Sequence, residues 1–239
     1  MEFKKSFKDY LNKVAKYDAT KYIGAGNPNA EILIISKEIL VKSDEVYNRE
    51  ITQNHYNWVN NLQTEDLVIE DYPEAEYNPM FPYKGKLLKA ERGGHTWRKY
   101  QKLCDLIYEK DEKKVADKFD FQNTFFLTEI NSTQDDKATN YKRKDMFGEL
   151  DFFKQFKVII IDGLSSYDIK KREDKPTNEI EFKFNVRYNE MREPVDKQRF
   201  WIFNSPDNKR TIIQTGKLNG KNLADEYITE LAAYIQDCI

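Results

Sequence analysis

The chain has 239 residues and balances 39 Lys and Arg against 41 Asp and Glu, a formal net charge of −2. With 39% hydrophobic and 33% charged residues it falls among globular proteins with a heavily charged surface, and its length allows one large domain or two small ones around a sizeable core. The near-neutral balance excludes a general polyanion binder, though not a local basic groove, and two cysteines, Cys104 and Cys238, are too few for a disulfide scaffold, a four-Cys zinc site or an iron–sulfur ligand set.

Residues 3–17 read as an amphipathic helix, with Phe7, Tyr10, Leu11 and Val14 on one side. No signal-peptide pattern and no apolar run of about 18 residues occurs, so a cytoplasmic protein without membrane contact is expected. The polar turn Gly26-Asn27-Pro28-Asn29 then runs into an apolar, β-branched burst from Ile32 to Ile35, which stops at Ser36-Lys37-Glu38. Turn chemistry followed by a short continuous apolar run predicts a buried, parallel strand over 31–36. In open α/β sheets ligands bind outside the carboxyl ends of such strands, which makes Glu38 a site candidate.

Residues 40–95 form a long aromatic stretch with Pro73, Pro79, Pro82 and Gly93-Gly94, of the kind that serves as a lid or binding insertion. Within it Trp58 and Leu62, at i, i+4 spacing, predict a helix over 54–62. Thr96 is the expected N-cap of a helix to about 110, with Tyr100, Leu103, Leu106 and Ile107 facing the core. Strands are expected at 125–130 and 157–162, with a helix over 145–155 between them. Phe182, Phe184 and Val186 alternate, which predicts a short hairpin or edge strand. Further strands are expected at 199–203 and 210–213, and a final helix at 222–238. Alternating strands and helices predict a three-layer α/β fold with a mainly parallel sheet, in a single domain spanning 1–239 with its insertion at 40–95.

These motifs resemble the uracil-DNA glycosylase superfamily. Gly26-Asn27-Pro28-Asn29-Ala30 and the apolar strand after it are similar to the lead-in to that family's first motif, especially in its iron–sulfur bacterial branch, although the cluster cysteines are absent here. Thr128-Glu129-Ile130-Asn131 resembles the strand end where the family places a base-reading Asn. Gln214-Thr215-Gly216-Lys217-Leu218-Asn219 resembles its second motif, His-Pro-Ser-Pro-Leu-Ser in the best-known branch. Ser36 stands where the family carries Gly, Glu38 where it carries a catalytic Asp or Asn, Ile39 for its Pro, and Gln214 for its His. The resemblance implies a three-layer α/β/α sandwich on a central, mainly parallel four-stranded sheet, no cofactor, and a monomer acting on DNA.

Excising a base develops positive charge on the sugar and negative charge on the departing base, and the nucleotide must be flipped out and read. Glu38 would stabilise the sugar cation or orient water, with Gln214 donating toward the base; the plain alternative for Glu38 is capping of a following helix. Glu129 accepts where an Asn both donates and accepts, which disfavours uracil and suits the exocyclic amine of cytosine. A protonated Glu129 would accept from that amine and donate to N3; its plain alternative is a buried Glu with a Lys or Arg partner. Ser36, Phe81 and Tyr83 complete the expected base pocket. Leu218 matches the family's intercalating wedge, and Lys217, Asn219, Lys221, Lys142 and Arg143 are the expected phosphate contacts. His95 and the run Lys170-Lys171-Arg172 read as surface residues.

The function this implies is monofunctional hydrolysis of the N-glycosidic bond of a non-standard base, a modified cytosine. Similar family members act against phage DNA whose cytosines carry hydroxymethyl or glucosyl groups, which extends the expectation to antiviral defence beside DNA repair. The alternatives are uracil excision, an inactive DNA- or protein-binding module, and a small-molecule nucleoside hydrolase that would need neither a wedge nor a basic face.

Overall fold

Ile32, Leu33, Ile34 and Ile35 are all fully buried, so their strand is covered on both faces, as its continuous apolar run requires. The computed structural model describes residues 2–14, 22–36, 53–63, 79–80, 94–110, 120–130, 137–163, 179–218 and 222–239. Glu38, Phe81, Tyr83, Asn219 and Lys221 lie outside the described residues, as do the run 170–172 and most of the expected insertion.

In chain order the described elements are α1 (Lys5–Lys13), β1 (Ala25–Gly26), β2 (Ile32–Ser36), α2 (Asn54–Gln63), α3 (Gly94–Ile107), a short 3-10 turn (Phe121–Asn123), β3 (Phe125–Glu129), α4 (Lys137–Glu149), α5 (Asp151–Lys154), β4 (Val158–Asp162), α6 (Glu179–Phe184), β5 (Arg187–Val195), β6 (Gln198–Asn204), β7 (Thr211–Thr215) and α7 (Asp225–Gln236). The strands form a seven-stranded mixed sheet in the order β1-β3-β2-β4-β7-β6-β5. The four central strands β3, β2, β4 and β7 are mutually parallel, while β1 and the β6–β5 hairpin pair antiparallel at the two sides. The expected sheet of four strands, mainly parallel, is thereby corrected. The parallel centre is present, but the hairpin beyond β7 and the two-residue β1 extend it. Phe182 and Phe184 belong to a short helix, α6, and the hairpin strand begins only at Arg187.

Side chains alternate across the sheet and build one apolar cluster on each face. Leu33, Ile35, Phe126, Ile159, Ile161 and Ile212 face α1, α2, α4, α5 and α6, where Phe7, Trp58, Phe147 and Phe152 interlock. Ile32, Ile34, Phe125, Val158, Ile160 and Ile213 face α3 and α7. Each fully buried side chain of this size is worth about 1.5–3 kcal/mol against an exposed one, so burial on two faces pins strand register firmly.

The turn before β2 is held by side chains, in keeping with its composition. Asn27 Oδ1 accepts from the Asn29 backbone N–H at 2.9 Å, and Asn27 Nδ2 donates to the Asn123 carbonyl at 2.8 Å. Gly26 has φ +91°, and a Cβ there would lie 2.4 Å from the Phe125 carbonyl oxygen. Only glycine allows β1 to approach β3 so closely. From α2, Asn54 Oδ1 accepts from the Ile23 and Gly24 N–H groups, and Trp58 Nε1 donates to the Gly24 carbonyl.

The strand order places a reversal of winding beside β2. The chain passes from β2 to its neighbour β3 by way of α2 on one face and α3 on the other, then from β3 over to β4, on the far side of β2, through α4 and α5 on the α2 face. The carboxyl ends of β2 and β4 therefore flank the crevice where such sheets bind ligands. Among the described residues no helix is long and apolar enough to cross a membrane.

Candidate functional site at the carboxyl ends of the parallel strands

Alternation continues to the last residue of each central strand. Ser36 pairs in register with Glu129, and Asp162 with Thr215, all projecting to the face that carries α3 and α7. This puts two carboxyls and two hydroxyls at the mouth of a dry core. Ser36 Oγ donates to Glu129 Oε1 at 3.1 Å, and Glu129 is only 9% exposed. Behind Ser36, its carbonyl accepts the Ile130 N–H at 2.8 Å, so the ends of β2 and β3 are tied by both backbone and side chain.

Asp162, 7% exposed, closes the other side. Its Oδ2 accepts from the Tyr100 hydroxyl at 2.7 Å, and its Oδ1 from the Leu218 backbone N–H at 2.8 Å. Burial pushes the Asp162 carboxyl above its ordinary value, against Leu218, Tyr100 and the Lys217 charge, which pull it down. Tyr100 is held well above the ordinary tyrosine value, first by burial, then by the charge and hydrogen bond of Asp162 and the charge of Glu129. It stays protonated and acts as a donor at neutral pH. Neither Asp162 nor Tyr100 stands out as a site residue in the sequence. The available signal is that Asp162 ends an apolar run just as Ser36 does; Tyr100 sits on a core-facing helical stripe and is indistinguishable there from packing.

Several expected site residues lie elsewhere. Gln214 is fully buried but alternates to the opposite face, in register with Ile161 and Trp201, so it is not part of the Ser36–Glu129 cluster. Leu218, expected as an exposed wedge, is 2% exposed and packs in the core under α7, because its N–H is anchored on Asp162. Arg143, expected at a phosphate, is 0% exposed. Its Nε donates to the Glu129 carbonyl at 2.7 Å and its Nη2 to Thr128 Oγ1 at 3.1 Å, with the Tyr22 and Phe147 rings beside the guanidinium. It supports the end of β3 from the face opposite Glu129. Lys217 is exposed, as a phosphate contact must be. Lys142 lies in α4, and His95 lies in the first turn of α3, which begins at Gly94 and leaves Thr96 inside the helix.

A second polar cluster joins α3 to the turn at 120. Ligand atoms of Cys104, Asp105 and Asp120 lie within 4.8 Å of one another. Lys110 Nζ already sits 2.8 Å from Asp120 Oδ2 and 3.7 Å from Cys104 Sγ, and Gln101 Nε2 donates to both carboxylates. Burial pushes the Cys104 thiol up to about 11, so it is protonated and a poor ligand. The ammonium occupies the place of a cation, and the cluster reads as a structural cross-link.

Compared with protein-family models, characterised proteins and solved structures, the chain matches none.

Proposed function

We propose that the chain is an N-glycosidic hydrolase of the uracil-DNA glycosylase type, built as a three-layer α/β/α sandwich and acting on a flipped-out, modified cytosine in DNA. The observation that carries this reading is the buried Ser36–Glu129 pair at the carboxyl ends of adjacent parallel strands, beside the reversal of winding. A carboxyl held there by a hydroxyl has one oxygen fixed as an acceptor. In the protonated form it accepts from the exocyclic amine of cytosine and donates to N3, which makes the base a better leaving group. Glu38, two residues beyond Ser36, is the group assigned to the sugar cation or the attacking water.

A second reading is favoured by two placements. Leu218 and Arg143 are both buried, so neither reaches DNA as placed. A free nucleoside as substrate would need neither a wedge nor a phosphate contact.

The deciding experiment incubates the protein with oligonucleotides carrying uracil, mismatched thymine, hypoxanthine, hydroxymethylcytosine or its glucosylated form, and in parallel with the matching free nucleosides. Abasic sites are detected by alkali cleavage and free bases by chromatography. Release from a cytosine-derived oligonucleotide that is lost in Glu129→Asn supports the lead reading, and release from nucleosides alone supports the second. DNA binding with no release from either substrate class marks a binding module and overturns both.

A further inference from the structure

At the side of the sheet away from β1, β5 is the outermost of the described strands, paired there with β6. Its ladder is interrupted twice, between Tyr188 and Glu190 and between Arg192 and Val195. Bulges and Pro194 blunt those parts of the edge against indiscriminate pairing. Between them Glu190-Met191-Arg192 runs straight, opposite Ile202, Trp201 and Phe200, with the geometry to pair once more.

The two faces of this stretch differ. Met191 shares the α6 face with Trp201 and is 40% exposed. On that face the Tyr188 ring meets Phe203, and Glu181 Oε1 accepts the Tyr188 N–H at 2.7 Å, which brings α6 and its 83% exposed Phe182 to the start of β5. Of the five exposed large apolar side chains among the described residues, Phe182, Tyr188 and Met191 gather here, a mark of an interaction surface. On the α7 face, Arg192 Nη2 donates to Glu190 Oε1 at 3.1 Å and Nη1 to Glu230 Oε1 at 3.0 Å, with the guanidinium over the Tyr234 ring. Glu190 and Arg192 both stay partly exposed.

The charges select the occupant. A two-fold axis normal to a sheet sets residues of the same face opposite one another, so it passes where a residue meets its own copy. Centred on Glu190 or on Arg192, it would oppose like charges. Centred on Met191, it sets Glu190 of each copy opposite Arg192 of the other, twice, and brings the two Met191 side chains together. Each Arg192, already fixed by Glu230 and Tyr234, then lies between its own Glu190 and that of the second copy. The contact closes at two subunits, because the sheet's other edge is only the two-residue β1.

We propose that β5 is a homodimer interface, in which two copies of the chain pair antiparallel through Glu190-Met191-Arg192 about a two-fold axis at Met191. The two sheets thereby become one, with Phe182 and Tyr188 flanking the junction. This departs from the monomer that the family resemblance implies and is independent of the chemistry assigned to the strand ends.

The test is analytical ultracentrifugation of the full chain from about 10 µM to about 1 mM, the range suited to a short, transient interface. The expected result is a mass that rises with concentration toward twice that of the chain. Met191→Asp, which places two carboxylates at the axis, is expected to weaken the dimer by about tenfold or more. Met191→Cys is expected to give a disulfide-linked dimer on mild oxidation, since directly opposed Cα atoms stand about 4.5–5.5 Å apart. Arg187→Cys, exposed on the same strand but not opposed to itself, and the wild type with Cys104 and Cys238 serve as controls and are expected not to cross-link in this way. A chain that stays monomeric overturns the proposal and leaves the edge to a strand from another protein. A dimer unmoved by Met191→Asp in a protein folded by circular dichroism overturns it too. So does a Met191→Cys protein that cross-links no faster than the controls, which decides the matter even if Met191→Asp fails to fold.

Discussion

Ser36 and Glu129 end adjacent parallel strands in the same register, and the Ser36 hydroxyl donates to the Glu129 carboxyl at 3.1 Å. One strand thereby holds the side chain of the other at a fixed angle to the crevice. If Glu129 is the acid of the site, Glu129→Gln lowers base release by about 10²–10⁴-fold. Ser36→Ala removes only the orienting bond and lowers release by about tenfold, at a stability cost of about 1 kcal/mol. Single-turnover release from the preferred substrate, with urea melts of both variants, separates the two effects.

Asp162 gives a pH signature in stability. Its folded-state value is raised by burial, so the folded protein binds this proton more tightly than the unfolded chain does. The contribution is fully present below the unfolded value and is lost as pH rises through the raised one. The stability advantage of the wild type over Asp162→Asn is therefore expected to widen as pH falls from 7 to about 4. Denaturant melts at the two ends of that window read it directly; an advantage that narrows on acidification contradicts the assignment.

Arg143 and Lys217 make opposite predictions. Arg143→Leu leaves the Glu129 carbonyl and the Thr128 hydroxyl without their buried donor and is expected to cost about 2–4 kcal/mol of stability. Lys217→Ala leaves stability within about 0.5 kcal/mol. If DNA is bound, it reduces the salt dependence of log K by about one unit. Melts and a salt series of binding measurements distinguish the buried cation from the exposed one.

Gly148, near the end of α4, is packed against the backbone of α6. A Cβ there would lie 1.7 Å from the Lys183 carbonyl oxygen. In an exposed helix, glycine to alanine gains up to about 1 kcal/mol. Here Gly148→Ala is expected to lose about 1–3 kcal/mol instead, because backbone must move to admit the methyl group. A rise in Tm on this substitution would refute the close approach.

The linear chain by itself determined where the parallel strands lie. Continuous apolar runs such as 32–35 and 158–161 have no polar alternation to spare for a solvated face, so burial on both sides follows from composition and needs no knowledge of the partners. The turn residues Gly26, Asn27 and Asn29 were equally legible, since their conformations are local. Ser36 and Glu129 were both identifiable as strand ends, though not as hydrogen-bonded neighbours. The outer hairpin strand was misplaced because Phe182, Phe184 and Val186 alternate within a short helix and its exit, where a six-residue window cannot separate the two periods. Only the tertiary structure decided the rest of the site. Tyr100 reaches Asp162 across 62 positions of chain, Leu218 is drawn inward because its N–H meets that same carboxylate, and Gln214 turns away because strand alternation sends it to the other face. Each of these depends on register between distant segments, a long-range quantity that no local pattern encodes.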